Sequence, residues 1–219
     1  MSRVARLRLP GGRTGLPRLP PHAPGMTIGL FGGTFNPPHE GHRRASLLAL
    51  RRLGLDQVWW LVTPGNPLKN NDALPPLPQR MEAARRAAAH PDISVSDAEA
   101  AIGVRFTYDA IAYLAARCRG VSFVWIMGAD NLESFHGWQR WREIAGLVPI
   151  AVVDRPGATF SPSSRAAHAL ARYRVPERQA RSLPRMKPPA WCFLHGPRSA
   201  LSSTILRKEA LHPGQNAPT

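Results

Sequence analysis

Only two cysteines stand among the 219 residues, Cys118 and Cys192, 74 positions apart and outside any Cys-x-x-Cys or Cys/His cluster. Their scarcity argues against a disulfide framework and against a structural zinc site, and fits a reducing, cytoplasmic compartment. Long hydrophobic runs are also missing. No stretch approaches the ~18 consecutive apolar residues that a transmembrane helix needs, so no membrane partner is expected. Acid is scarce as well: 14 Asp plus Glu face 29 Lys plus Arg, for a formal charge of +15. Taken whole, that imbalance suggests a polyanion as partner. Hydrophobic residues nevertheless reach 43% and the mean hydropathy is -0.24, so a chain of this length can bury one core without cross-links.

The position of the charge is more informative than its sum. Residues 1–25 hold five Arg, five Pro and four Gly with no acid, and are read as a disordered basic leader. They lack the continuous apolar segment of a secretory signal. Met26, just before the first apolar run, is a second candidate for the start of translation. The body then carries +10, of which +6 falls between Asp154 and Ala190. The leader has no Phe, Trp or Tyr, the second stretch has only Phe160 and Tyr173, and neither has a groove-reading motif, which makes a nucleic-acid-binding module the weaker reading.

Short β-rich runs alternate with longer helical patterns. Strands are expected over Thr27–Phe31, Gln57–Thr63, Ile93–Ser96, Val121–Met127, Pro149–Val153 and Trp191–Leu194. Helices are expected over Gly41–Leu53, Gln79–Ala89, Phe106–Cys118 and Trp138–Ala145. Near-continuous apolar strands separated by helices indicate a mostly parallel sheet covered on both faces, an α/β Rossmann-like doubly wound fold flanked by helices. One domain is expected over 26–209, with a flexible tail at 210–219. In such a sheet ligands bind beyond the carboxyl ends of the strands.

Directly after the first strand comes Gly32-Gly33-Thr34-Phe35-Asn36-Pro37-Pro38-His39-Glu40-Gly41-His42. The glycines let backbone amides come close to a ligand, and Pro37 and Pro38 fix the loop. His39 and His42 are three apart and share one face of a first helical turn, where exposed amides and the macrodipole favour an anion. A pair of structurally packed histidines is the simpler alternative for these residues in isolation. No third ligand stands nearby at metal-site spacing, so no protein-held metal is expected.

GGTFNPPHEGH resembles the signature of the nucleotidyltransferase superfamily with an H-x-G-H motif, and in particular of bacterial nicotinate-nucleotide adenylyltransferases. The likeness continues in order along the chain. Gly65-Asn66-Pro67-Leu68-Lys69 is similar to the family's Gly-Asn-Pro loop, Arg80-Met81 to its Arg-Met pair, and Arg105-Phe106-Thr107-Tyr108-Asp109 to its Ser-Tyr-Thr segment. Gly128-Ala129-Asp130, followed by Trp138 and Trp141, resembles its Gly-x-Asp motif and the tryptophans after it. Arg155-Pro156-Gly157 follows the fifth strand as in the family, and Ser202-Ser203-Thr204-Ile205-Leu206-Arg207 resembles its S-S-T-x-I-R signature.

The resemblance implies adenylyl transfer from ATP to nicotinate mononucleotide, releasing pyrophosphate in NAD biosynthesis. His39 and His42 would be catalytic. Gly32, Gly33, Thr34, Phe35, Gly41, Ser202, Ser203, Thr204 and Arg207 would bind ATP and its phosphates. Asn66, Lys69, Thr107, Gly128, Asp130 and Trp138 would bind the mononucleotide, with Trp138 as a platform under the nicotinate ring. Mg²⁺ would be carried mainly on the ATP phosphates. Trp138 as core and Asp130 as a helix cap stay open as structural alternatives. Three departures from the pattern are evident: Arg105 stands where Ser is usual, the loop before Lys69 is one residue short, and the chain ends at Thr219 without a further helix. A homo-oligomer is left open. So are nicotinamide mononucleotide or pantetheine phosphate as the acceptor.

Overall fold

Two neighbouring tryptophans show how this sheet is covered. Trp59 and Trp60 are both fully buried, yet belong to different hydrophobic clusters, because successive side chains on a strand point to opposite faces. A strand that is apolar at every position therefore needs helices on both sides. The computed structural model, which describes residues 18–65, 71–154 and 164–196, has that arrangement.

Seven strands form one sheet: β1 (Thr27–Gly33), β2 (Gln57–Val62), β3 (Ile93–Ser96), β4 (Ser122–Gly128), β5 (Ile150–Val153), β6 (Arg174–Val175) and β7 (Trp191–Leu194). Their order is β3-β2-β1-β4-β5-β7-β6, and every neighbouring pair is parallel. The expected Rossmann-like fold is thus present, with an all-parallel rather than mostly parallel sheet. The winding direction changes between β1 and β4, which opens a crevice at their carboxyl ends.

The helices are α1 (Glu40–Leu53), α2 (Leu77–Ala88), α3 (Ala98–Ile102), α4 (Thr107–Arg117), α5 (Ala129–Ser134), α6 (Trp141–Leu147) and α7 (Arg165–Ala169). Ile111, Leu114, Leu132, Ile144 and Ala166 from α4 to α7 pack on the face that carries Ile28, Leu30, Trp59 and Trp125. Ala45, Ala49 and Leu53 of α1, with Met81 and Ala84 of α2, cover Phe31, Trp60, Val62 and Ile126 on the other. Gly54 closes α1 at φ 65°, a left-handed conformation costly for a residue with a Cβ, and its N–H donates to the Leu50 carbonyl. Asp56 then accepts from the Thr27 N–H at 2.7 Å and the Thr27 hydroxyl at 2.9 Å, fixing the start of β1.

Several expectations are corrected. The helix expected from Trp138 begins at Trp141, because Phe135–Gly137 form a 3-10 turn and Arg140 is left-handed at φ 58°. Helices α3, α5 and α7 are too short to leave a periodic signal. In the Arg-rich stretch, whose conformation was open from sequence, the described residues form α7, a 3-10 turn at Ala171–Tyr173, β6 and a 3-10 segment at Glu177–Arg185 that buries Ala180, Leu183 and Pro184.

The presumed leader is also structured from residue 18 onward. Leu19 and Met26 pack against the core, His22 meets the Trp59 ring edge-on at 5.6 Å, and the Gly25 N–H donates to the Gly120 carbonyl at 2.7 Å. Residues 1–17 and the expected tail at 210–219 lie outside the described residues. No helix among the described residues is long and apolar enough to cross a membrane.

Candidate active site

β1 is held between β2 and β4, so the chain leaving it emerges over the crevice. Gly33 pairs with Val62 of β2, and the β1–β4 pairing runs as far as Phe31 with Ile126, two residues before each strand ends. Gly33 and Gly128 are thus the last residues of these two central strands. A Cβ on Gly32 would lie 2.5 Å from the Trp125 Cη2, so this position is glycine because the indole occupies its side-chain space. Ligand approach is not needed to explain this glycine.

The loop then turns sharply. Phe35 sits at φ 47° and is 2% exposed, its ring stacked on Trp60 at 4.8 Å and 15°. The Phe35 side chain is thus the floor of the loop, and only its backbone can face a ligand. The same ring lies 4.9 Å from His42.

His39 and His42 form the N-terminal cap of α1. The Gly41 N–H donates to His39 Nδ1 at 3.1 Å, and the His39 N–H donates to His42 Nδ1 at 3.2 Å. This is the reciprocal geometry of a capping box, built here from two imidazoles. Each ring uses Nδ1 as an acceptor, so the neutral ring carries its proton on Nε2 and is a donor there. The rings are 4.0 Å apart, and their residues are 6% and 7% exposed. The structural and chemical readings of the pair are therefore not rivals: the backbone bonds that cap the helix also fix the tautomer.

The His42 carbonyl accepts from the Ser46 hydroxyl at 2.9 Å, and Ser46 Oγ in turn accepts from Trp60 Nε1 at 2.8 Å. This buried chain ties the first turn of α1 to β2. Glu40 lies in the same turn but points outward, 3.6 Å from Arg43 and 3.3 Å from Arg44.

On the other side of the crevice, Gly128 ends β4 and caps α5, with Asp130 exposed in the first turn of that helix. Asp130 is one position inside the helix and is not its cap. Thr107 opens α4 after Phe106. Trp138 is half-buried, edge-on to Phe135 at 5.4 Å and to Trp125 at 6.2 Å. It is thus partly core and partly accessible, and Trp125 sits between it and Gly32. Next to Thr107, the Arg140 guanidinium lies 3.5 Å from the centre of the Tyr108 ring and is held by Glu143. Asn66, Lys69, Ser202, Ser203, Thr204 and Arg207 lie outside the described residues.

Two buried charges near the loops were not anticipated from sequence. Arg80, quoted above only for its place in a motif, is 3% exposed. Glu99 of α3 is 6% exposed, and burial pushes its carboxyl up to about 7 while the neighbouring Thr63 hydroxyl pulls the other way. The signal for Glu99 was an acid inside Ala98-Glu99-Ala100-Ala101-Ile102, a segment otherwise small and apolar. Burial also raises both thiols, Cys192 to about 11, so neither is a ready nucleophile. Among the described residues no group of three or more His, Cys, Asp or Glu could hold a metal ion.

A family model described as cytidylyltransferase-like matches residues 30–209. Over 192 residues the chain is 56% identical to the "Probable nicotinate-nucleotide adenylyltransferase" of Mesorhizobium japonicum, covering 87% of this chain and 98% of that protein. It is likewise 56% identical over 187 residues to the protein of the same name from Brucella abortus, covering 85% and 96%. Among solved structures, Plasmodium falciparum nicotinic acid mononucleotide adenylyltransferase complexed with NaAD superposes with a TM-score of 0.62 at 15% identity, covering 84% of this chain and 83% of that one. At that identity the superposition speaks for the fold. The chain belongs to the cytidylyltransferase-like family and, within it, to the nicotinate-nucleotide adenylyltransferases.

Proposed function

We propose that this chain transfers the adenylyl group of ATP to nicotinate mononucleotide, giving nicotinate adenine dinucleotide and pyrophosphate. The observation that carries this reading is the imidazole pair at the start of α1, fixed by backbone bonds as two Nε2–H donors at the switch point of the sheet. The names of relatives 56% identical to the chain specify the substrates.

A phosphate oxygen of the mononucleotide attacks the α-phosphorus of ATP in line. The bond from that phosphorus to the pyrophosphate oxygen breaks, and the electron pair leaves with pyrophosphate. No residue of the chain becomes covalently attached, so the site has only to position the reactants and stabilise charge. His42 and His39 donate to α-phosphate oxygens, each fixed donor lowering the barrier by roughly 2.7–4 kcal/mol. The amides after β1 and the start of α1 receive phosphate. Ser202, Ser203, Thr204 and Arg207 hold the β- and γ-phosphates, and Mg²⁺ arrives on those phosphates as part of the substrate.

The mononucleotide lies on the β4 side. Trp138 stacks on its ring, Thr107 faces its carboxylate, and Gly128, Asp130, Asn66 and Lys69 complete the site. The partial exposure of Trp138 supports the stacking role, since a fully buried indole would have no face to offer.

Incubating the chain with MgATP and the acid or amide mononucleotide, then measuring product mass and pyrophosphate, tests the reading. The expected result is the acid dinucleotide with one pyrophosphate per turnover. Preference for the amide, or turnover only with pantetheine phosphate, would refute the substrate assignment.

A further inference from the structure

Arg80 is a buried guanidinium whose described partners include no carboxylate. Its Nε donates to the Pro75 carbonyl at 2.8 Å, and Nη1 to the Thr34 carbonyl at 2.9 Å and the Thr63 carbonyl at 2.7 Å. Nη2 donates to the Pro64 carbonyl at 3.1 Å. Burial of an unneutralised cation disfavours the charged form, and the guanidinium is accordingly pulled below its ordinary value. A methionine or leucine would fill the space without that cost, so the guanidinium needs a reason to be there. The planar fork of five N–H donors supplies one, since it can address several carbonyls in fixed directions as an ammonium cannot.

Those carbonyls belong to the loops that build the site. Thr34 lies between the glycines and Phe35 in the loop after β1, Thr63 and Pro64 leave β2, and Pro75 precedes α2. In a trans peptide the carbonyl and the following N–H point in opposite directions. Turning the Thr34 and Pro64 carbonyls toward Arg80 therefore turns the Phe35 and Gly65 N–H groups away from it. Among the described residues none accepts a hydrogen bond from the Phe35 N–H. The Thr34–Phe35 peptide is also the one that leads into the left-handed Phe35, whose ring packs on His42.

We propose that Arg80 is a positioning residue for adenylyl transfer: by gathering the carbonyls of two adjacent loops it aims the Phe35 and Gly65 amides outward as donors for substrate phosphate. The proposal rests on the adenylyl-transfer reading above. Arg80 touches no reacting atom and acts through the peptides it orients.

The test uses full-length Arg80→Lys and Arg80→Ala, assayed well below their melting temperatures. Arg80→Lys keeps the charge but loses the fork, and is expected to fold while losing roughly 100-fold in kcat/KM for ATP, the usual scale for an ångström-level misplacement. Its KM for the mononucleotide changes far less. In Arg80→Ala, guanidinium ion at tens of millimolar is expected to restore part of the turnover, while the same concentration of sodium chloride does not. Folded variants with wild-type kcat/KM for ATP, or equal effects of the two salts, would overturn the proposal. In the wild-type protein the Phe35 and Gly65 amide resonances should shift on addition of ATP, and their failure to do so would overturn it whatever the variants do. A wild-type protein with no adenylyl transfer would defeat the functional reading instead.

Discussion

The indole of Trp125 occupies the space that a side chain on Gly32 would need, with Cη2 2.5 Å from the position of a Cβ there. The two residues come from adjacent strands, Trp125 pairing with Leu30 two positions before Gly32. Adding one methyl at Gly32 therefore presses on a ring, which in turn meets Trp138 edge-on. Gly32→Ala is expected to cost about 1–3 kcal/mol, the usual range for overpacking. Displacement of Trp138 should also raise the KM for the mononucleotide. Urea denaturation and steady-state kinetics check the two parts.

His39 caps α1 and is also assigned a chemical role, and one substitution separates these. Asparagine is among the best N-cap residues, and its Oδ1 can accept from the Gly41 N–H as His39 Nδ1 does. It has no donor at the place of Nε2. His39→Asn is thus expected to stay within about 1 kcal/mol of wild-type stability while turnover falls roughly 100- to 1000-fold. A large loss of stability with kcat retained would leave His39 a cap and nothing more.

Ser46 accepts from the buried Trp60 indole and donates to the His42 carbonyl. In Ser46→Ala the Trp60 N–H is left buried with no acceptor, at a cost of about 1–3 kcal/mol. Thermal unfolding of the variant checks this. Trp60→Phe removes both the donor and the need for its acceptor, so the double variant should lose less than the sum of the single ones.

Glu99 makes the stability depend on pH. Its folded value of about 7 lies above the ordinary 4.5, so the native state holds this proton more tightly than the unfolded chain. The contribution is fully present below about pH 4.5 and is lost as the pH rises through about 7, amounting to roughly 3 kcal/mol. Glu99→Gln, neutral at all pH, should be more stable than wild type at pH 8 and similar to it at pH 4. Urea titrations of both proteins at the two pH values measure the difference. If the gap does not widen with pH, the carboxyl is not buried as described.

Much of the fold was legible because its strands are continuous apolar runs. Gln57–Val62 with its two tryptophans, and Ser122–Gly128, can be covered only on both faces, and that implies the helices between them. The loop Gly32–His42 was legible as a site because glycines, prolines and paired histidines have few other uses together. Arg80 and Glu99 were not, since a charged residue in a helix reads as solvated unless something shows what surrounds it. For Arg80 the surroundings are backbone carbonyls, which have no sequence identity. Trp125 behind Gly32 was hidden for a different reason: the glycine has a sufficient explanation in ligand approach, and the contact that accounts for it comes from a strand some ninety residues away.

Isotope position distinguishes attack by the acceptor's own phosphate at the α-phosphorus of ATP from transfer by any other route. Nicotinate mononucleotide with its phosphate oxygens labelled with heavy oxygen is incubated with unlabelled MgATP, and the label is located by mass spectrometry. Every labelled oxygen is expected to remain in the dinucleotide, one of them bridging its two phosphorus atoms, and the released pyrophosphate to carry none. Label in the pyrophosphate, or a protein mass increased by one adenylyl group during turnover, would contradict direct attack.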